Sequence, residues 1–220
     1  MSGTAAFPQI PRNGSPMERN LWIRNLSIAV TLWTTGSLLG FGFATHARSN
    51  EDNQGQPIVA IEEAREPSVP AASVKQASPA GKDLYFGILG RNLSVYAWLL
   101  CGLVSLGIST VVVTLFNGIY LGQTLGLASA SGAEARSMAW LLLPHGILEV
   151  SAFLLAAAVG ILGFRLARLW LTNPTHFPVA VRGVARLWPM AALGAAALIV
   201  AAGIETFVTV PLAQSQGATP

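Results

Sequence analysis

From Leu26 to Ala44 the chain runs for 19 residues without a charge. A helix of that length, rising about 1.5 Å per residue, spans a bilayer core of roughly 30 Å. Met138–Leu169 and Trp188–Leu212 are comparably apolar, apart from His145, Glu149 and a basic end at Arg165 and Arg168 in the first, and Glu205 in the second. Lipid offers the backbone no hydrogen bonds, so each such run has to satisfy its own amides and carbonyls as a helix. Ser94–Phe116 ends in the β-branched STVVVTLF, which would suit a strand in water, and the same argument makes it helical. The fold class is therefore all-α: a polytopic transmembrane helical bundle.

Composition closes off the alternatives. Charged residues make up 10% of the chain and hydrophobic ones 52%, against about 25% charged in soluble proteins. A water-soluble enzyme and a disordered scaffold are both excluded. The net charge is only +3 and no basic stripe concentrates it, so no nucleic-acid partner is implied. A single Cys101 rules out a disulfide framework and a zinc cage, and reads as a small buried hydrophobe.

Composition also divides the chain. Residues 1–20 are polar, carry Pro8, Pro11 and Pro16, and read as a disordered cytoplasmic tail. Residues 21–45 are a first transmembrane helix, an uncleaved signal anchor. Residues 46–84, rich in Pro, Ala, Ser, Gln and Glu, read as a disordered extracytoplasmic loop. Residues 85–212 form a membrane domain of four helical spans, and 213–220 a tail. Asn117-Gly118 is expected to end the second run. Gly118, Gly122 and Gly126 then recur at every fourth position, a face that allows close helix packing. Residues 118–130 would rise only about 20 Å, a short crossing. Pro144 frees the carbonyl of Trp140, so Pro144 and Gly146 mark an expected helix break, with a full helix from about 145.

Arginine placement orients the bundle. Residues 165–186 hold four Arg and no acid, whereas 46–91 is net acidic. Short basic loops stay cytoplasmic. The N-terminus is then inside, the C-terminus outside, and the count is about five spans, one of them short. Trp22, Trp98, Trp140, Trp170 and Trp188 fall at the expected span ends; Trp33 does not.

Glu149 and Glu205 stand out on energetic grounds, because a carboxylate at mid-membrane costs at least about 2.5 kcal/mol. His145 lies four residues before Glu149, on the same helix face. Three readings stay open: a path for an ion, proton or substrate; a His–Glu pair that fixes helix packing; and a metal site, which would need a third ligand from Glu205 or Asn117. The expectation is one intramembrane polar cluster of Asn117, His145, Glu149 and Glu205. No catalytic constellation, metal site or cofactor is assigned. Asn92-Leu-Ser94 matches a glycosylation sequon by pattern only.

The order of these blocks carries a resemblance. YFGILGRNLSVYAWLLCGL (85–103), LFNGIYLGQTLG (115–126), LLLPHGILEVSAFLLAAAVG (141–160) and AAGIETFVTVPLA (201–213) together resemble the stage II sporulation protein M family of integral membrane proteins. The Pro-His-Gly-x-x-Glu block at 144–149 is the most specific part. The resemblance implies a multi-pass protein of the bacterial or archaeal cytoplasmic membrane. It also implies a non-enzymatic scaffold or anchor that recruits other membrane or cell-envelope proteins, in the manner of peptidoglycan remodelling. The alternative it leaves is a component of transport or ion-coupled export, such as peptide or bacteriocin export and self-protection, built on the His/Glu cluster. The partners implied are the lipid bilayer and other envelope proteins.

Overall fold

The computed structural model describes residues 16–54, 81–130 and 135–212. Every regular element among them is helical: α1 (Pro16–Gln54), α2 (Gly81–Leu100) with a 3-10 turn (Cys101–Leu103), α3 (Ile108–Ala130), α4 (Ala135–Gly160), α5 (Leu162–Thr172), α6 (Phe177–Ala185) and α7 (Trp188–Ile204), the last continuing into a π-helical turn at Glu205–Thr209. Five stretches are long and apolar enough to cross a membrane: Asn20–Ser49, Gly81–Leu103, Ile108–Ala130, Pro144–Thr172 and Phe177–Leu212. The all-α bundle of five spans is therefore what the chain forms.

Several boundaries differ from the sequence reading. The break between the second and third spans is not at Asn117-Gly118 but at Val104–Gly107. Leu106 and Gly107 adopt positive φ of 58° and 81° there, and the Gly107 amide closes the turn on the Gly102 carbonyl at 2.6 Å. An uninterrupted apolar run hides this turn. Asn117 sits inside α3 because its amide donates to the Val113 carbonyl at 2.9 Å, one helical turn back. No crossing is short: α3 has 23 residues. Pro144 and Gly146 do not break α4, which runs unbroken from Ala135 to Gly160 with the proline inside it. Only a one-residue irregularity at Ile161 follows, and α5 carries the same apolar stretch on to Thr172. The helices also extend beyond the expected ends: α1 covers 16–20 and 46–54, and α2 covers 81–84, all read as disordered. Residues 1–15, 55–80 and 213–220, the remainder of the expected tail, loop and tail, lie outside the described residues. Cys101 is exposed, on the turn that ends the second span, rather than buried.

α4 is the central helix and touches α1, α2, α3 and α7. Its buried strip of Ala152, Ala156, Ala157 and Ala158 lets neighbours approach closely. Hydrogen bonds from side chain to backbone pin them. Asn25 donates to the Ala158 carbonyl at 3.3 Å, Tyr96 to Ala191 at 2.7 Å, and Thr110 to Leu99 at 2.7 Å. α1 and α3 pack most extensively of all. Gly36 and Gly40 of α1 meet the backbone of α3, and Gly118, Gly122 and Gly126 meet that of α1.

The pairings fix which ends lie together. Asn25 beside Ala158 puts the start of α1 with the end of α4. Gly126 against Phe41 and Ala44 puts the end of α3 with the far end of α1. Gly81 approaches Phe207, so α2 begins where α7 finishes.

Candidate functional site

At mid-height the bundle opens into a cavity of about 540 Å³. Its polar lining comes from four helices: Arg91 and Asn92 of α2, Asn117, Tyr120 and Thr124 of α3, Glu149 of α4, and Glu205 at the start of the π turn. Trp33 of α1 closes one wall. Asn92 lies at the centre of the Gly81–Leu103 span, and Asn117 and Trp33 near the centres of theirs. The cavity is therefore level with the middle of these three spans, while Glu149 and Glu205 reach it from nearer the ends of the Pro144–Thr172 and Phe177–Leu212 stretches.

Each polar group is placed for a local reason. The Asn92 amide donates to Glu149 Oε1 in a short hydrogen bond. Asn92 is therefore a structural partner inside the bundle, which the sequon pattern did not convey. Arg91 lies with its guanidinium 5.2 Å from the centre of the Tyr120 ring, an arrangement that offsets part of the cost of a cation in an apolar layer. Arg91 and Glu205 are both within electrostatic reach of Glu149. The π turn inserts an extra residue per turn at Glu205–Thr209. Glu205 lines the cavity, while Thr209 makes a hydrogen bond of 3.2 Å with His145 Nδ1.

Of the four residues expected to cluster, the structure places Asn117, Glu149 and Glu205 along one cavity and sets His145 apart. His145 is buried, 7% exposed, and its described partner is Thr209 rather than Glu149. A spacing of four puts two side chains on one face, but a helix face is wide enough for them to serve different neighbours. Among the described residues no three His, Cys, Asp or Glu side chains are gathered to hold a metal ion. Sequence reasoning misses Arg91 and Asn92 because a second span that starts at Ser94 starts three residues too late to enclose both. It passed over Trp33 because it recorded only that this tryptophan is not at a span end. A tryptophan and an arginine that must be mid-span once the span is long enough are the signals that could have found this wall.

Two acidic side chains and one basic one, held within a chain of five apolar helices, define a polytopic α-helical membrane protein with a charged chamber at mid-depth. The family model for stage II sporulation protein M matches residues 53–210, well over half of the chain, and the protein belongs to that family. It is also similar to an uncharacterized protein of Methanocaldococcus jannaschii, 29% identical over 126 residues, covering 57% of this chain and 71% of the relative. No solved structure matches it.

Proposed function

We propose that this protein is a non-enzymatic transport component of the cytoplasmic membrane, in which Glu149 and Glu205 take up a proton or a small cation. The observation that carries the reading is the acidic excess in a mid-depth cavity: two carboxyls face one guanidinium, and that guanidinium is engaged with Tyr120. A carboxylate at this depth has to be neutralised by a proton or a positive ion.

A hydrophobic carbodiimide tests this on the intact protein in detergent, because it modifies carboxyls that carry a proton in an apolar setting. Mass mapping should find the adduct on Glu149 or Glu205; protection by added sodium or potassium marks a metal cation as the ion taken up, and labelling unchanged by either marks a proton. Failure to label either carboxyl would remove the support for the reading.

A second reading, a scaffold that recruits envelope proteins, is favoured by a different observation. Asn92 with Glu149 and His145 with Thr209 are already partnered between helices. Polar groups satisfied in this way hold helices in register. Asn92→Leu and Glu149→Gln separate the two: transport predicts that Glu149→Gln loses flux at normal protein levels, and the scaffold predicts that only Asn92→Leu, which breaks the bond, has an effect.

A further inference from the structure

The chamber absorbs the acidic side chains of the spans and leaves the arginines of α5 and α6 without a role. Arg165 and Arg168 lie on α5, Arg182 lies on α6, and Arg186 follows it immediately; all four are exposed. Among the described residues none of them has a carboxylate partner, and 161–187 contains no Asp or Glu. The pairing of Asn25 with Ala158 brings the start of α1, and with it the exposed Arg24, to the same end of the bundle. Among the described side chains this end therefore presents five cations and no anion.

Apolar groups stand out among these cations. Trp170 is 61% exposed and Trp188 72%, and Leu171 and Val179 are exposed too. The turn between α5 and α6 is tied by Asn173 Oδ1, which accepts from the Thr175 hydroxyl and pairs with His176 Nδ1, both at 2.8 Å. α5 and α6 are the amphipathic ends of the Pro144–Thr172 and Phe177–Leu212 stretches, and with a fixed turn between them and tryptophans at both flanks they have the chemistry of span ends that emerge at a membrane–water interface. A protein partner would meet five unpaired charges set among exposed tryptophan and leucine. A leaflet offers phosphate oxygens to the guanidinium groups and acyl chains to the apolar groups at the same depth.

We propose that the α5–α6 hairpin, with Arg24, is a binding site for the headgroups of anionic phospholipids in one leaflet. Arg165, Arg168, Arg182 and Arg186 engage the phosphates, while Trp170 and Trp188 seat the hairpin at headgroup level.

The test uses the full chain purified in detergent, with thermal stability followed as phosphatidylglycerol or phosphatidylcholine is titrated in. Each interfacial arginine is worth roughly a fivefold gain for an anionic surface. The half-saturating concentration of phosphatidylglycerol should therefore be at least about tenfold below that of phosphatidylcholine. R165Q/R168Q/R182Q/R186Q should bring the two curves together without moving the phosphatidylcholine curve. If that variant does not fold, R165Q/R168Q and R182Q/R186Q should each narrow the gap. Salt at about 0.5 M should narrow it in the unaltered chain, since exposed charges are screened. Equal curves for the unaltered chain, an undiminished preference in both double variants and in high salt, or equal stabilisation by inorganic phosphate at the same phosphate concentration would each overturn the proposal.

Discussion

Gly122→Ala adds one methyl group where α1 and α3 touch backbone to backbone. The new Cβ would lie 2.7 Å from the Ser37 carbonyl carbon and 2.8 Å from the Phe41 amide nitrogen. The Ser37 carbonyl oxygen lies closer still; comfortable contact is about 3.5–4.0 Å, so the helices have to part by at least about 1 Å. A gap of that size forfeits a quarter to a half of every contact around it, each contact being worth only about 0.1–0.2 kcal/mol. Many atoms share this face, because Gly36, Gly40, Gly118 and Gly126 make the same close approach. The sum is about 1–3 kcal/mol, the usual range for an overpacked site. For a chain of this length that lowers the unfolding midpoint by roughly 2–12 °C. Gly42→Ala is the control. It lies on α1, the partner helix, with nothing within 4 Å of its added Cβ, and it gains up to about 1 kcal/mol of helix propensity. The assay is the fraction of monodisperse protein in detergent after a graded heat step. Gly122→Leu should fall below Gly122→Ala. If Gly122→Ala melted together with Gly42→Ala, the close-packed α1–α3 interface would be wrong.

Three further outcomes follow from the same geometry. Asn92→Leu strips Glu149 of its donor and should destabilise the bundle by about 1–3 kcal/mol in the same heat assay, whereas Glu149→Gln, which keeps an acceptor for Asn92, should lose much less. Gly107→Val puts a β-branched residue at φ 81° and against the Phe164 ring, and should cost more than about 1–3 kcal/mol, visible as reduced accumulation in the membrane. Reporters fused after Ala80 and at Pro174 should read opposite sides, with Ala80 outside; a cytoplasmic signal at both would contradict five spans.

The helical class and the number of spans were legible because lipid leaves the backbone one economical solution. Where each span turns was not. Residues 93–116 carry no charge, and nothing but Ser105, Leu106 and Gly107 marks the reversal. A leucine at positive φ, as at Leu106, carries no sequence signature. Asn117-Gly118 has the composition of a turn, but α3 uses Asn117 to cap its own preceding carbonyl and Gly118 to admit α1. The glycine face of α3 could be read from its spacing. Its partner, Gly36 and Gly40 on α1, was equally present in the sequence, but spacing within one helix does not name the neighbour. Glu149 and Glu205 were legible as costly residues. Their meeting across α4 and the π turn depends on helix packing and on one extra residue at Glu205–Thr209, neither of which a periodic pattern encodes. His145 shows the limit of helical spacing: it shares a face with Glu149 and yet bonds Thr209.

The central claim is that the mid-depth carboxyls move positive charge across the membrane. Its most direct test is flux into proteoliposomes loaded with a pH-sensitive dye, under an imposed membrane potential, with sodium and potassium uptake followed in parallel. The account predicts that one of these three cations enters faster than in protein-free vesicles. It also predicts that Glu149→Gln/Glu205→Gln, reconstituted at the same density and folded by the heat assay, returns the rate to that baseline. Rates for the unaltered protein that match protein-free vesicles for the proton, sodium and potassium alike, or a double variant as fast as the unaltered chain, would contradict it.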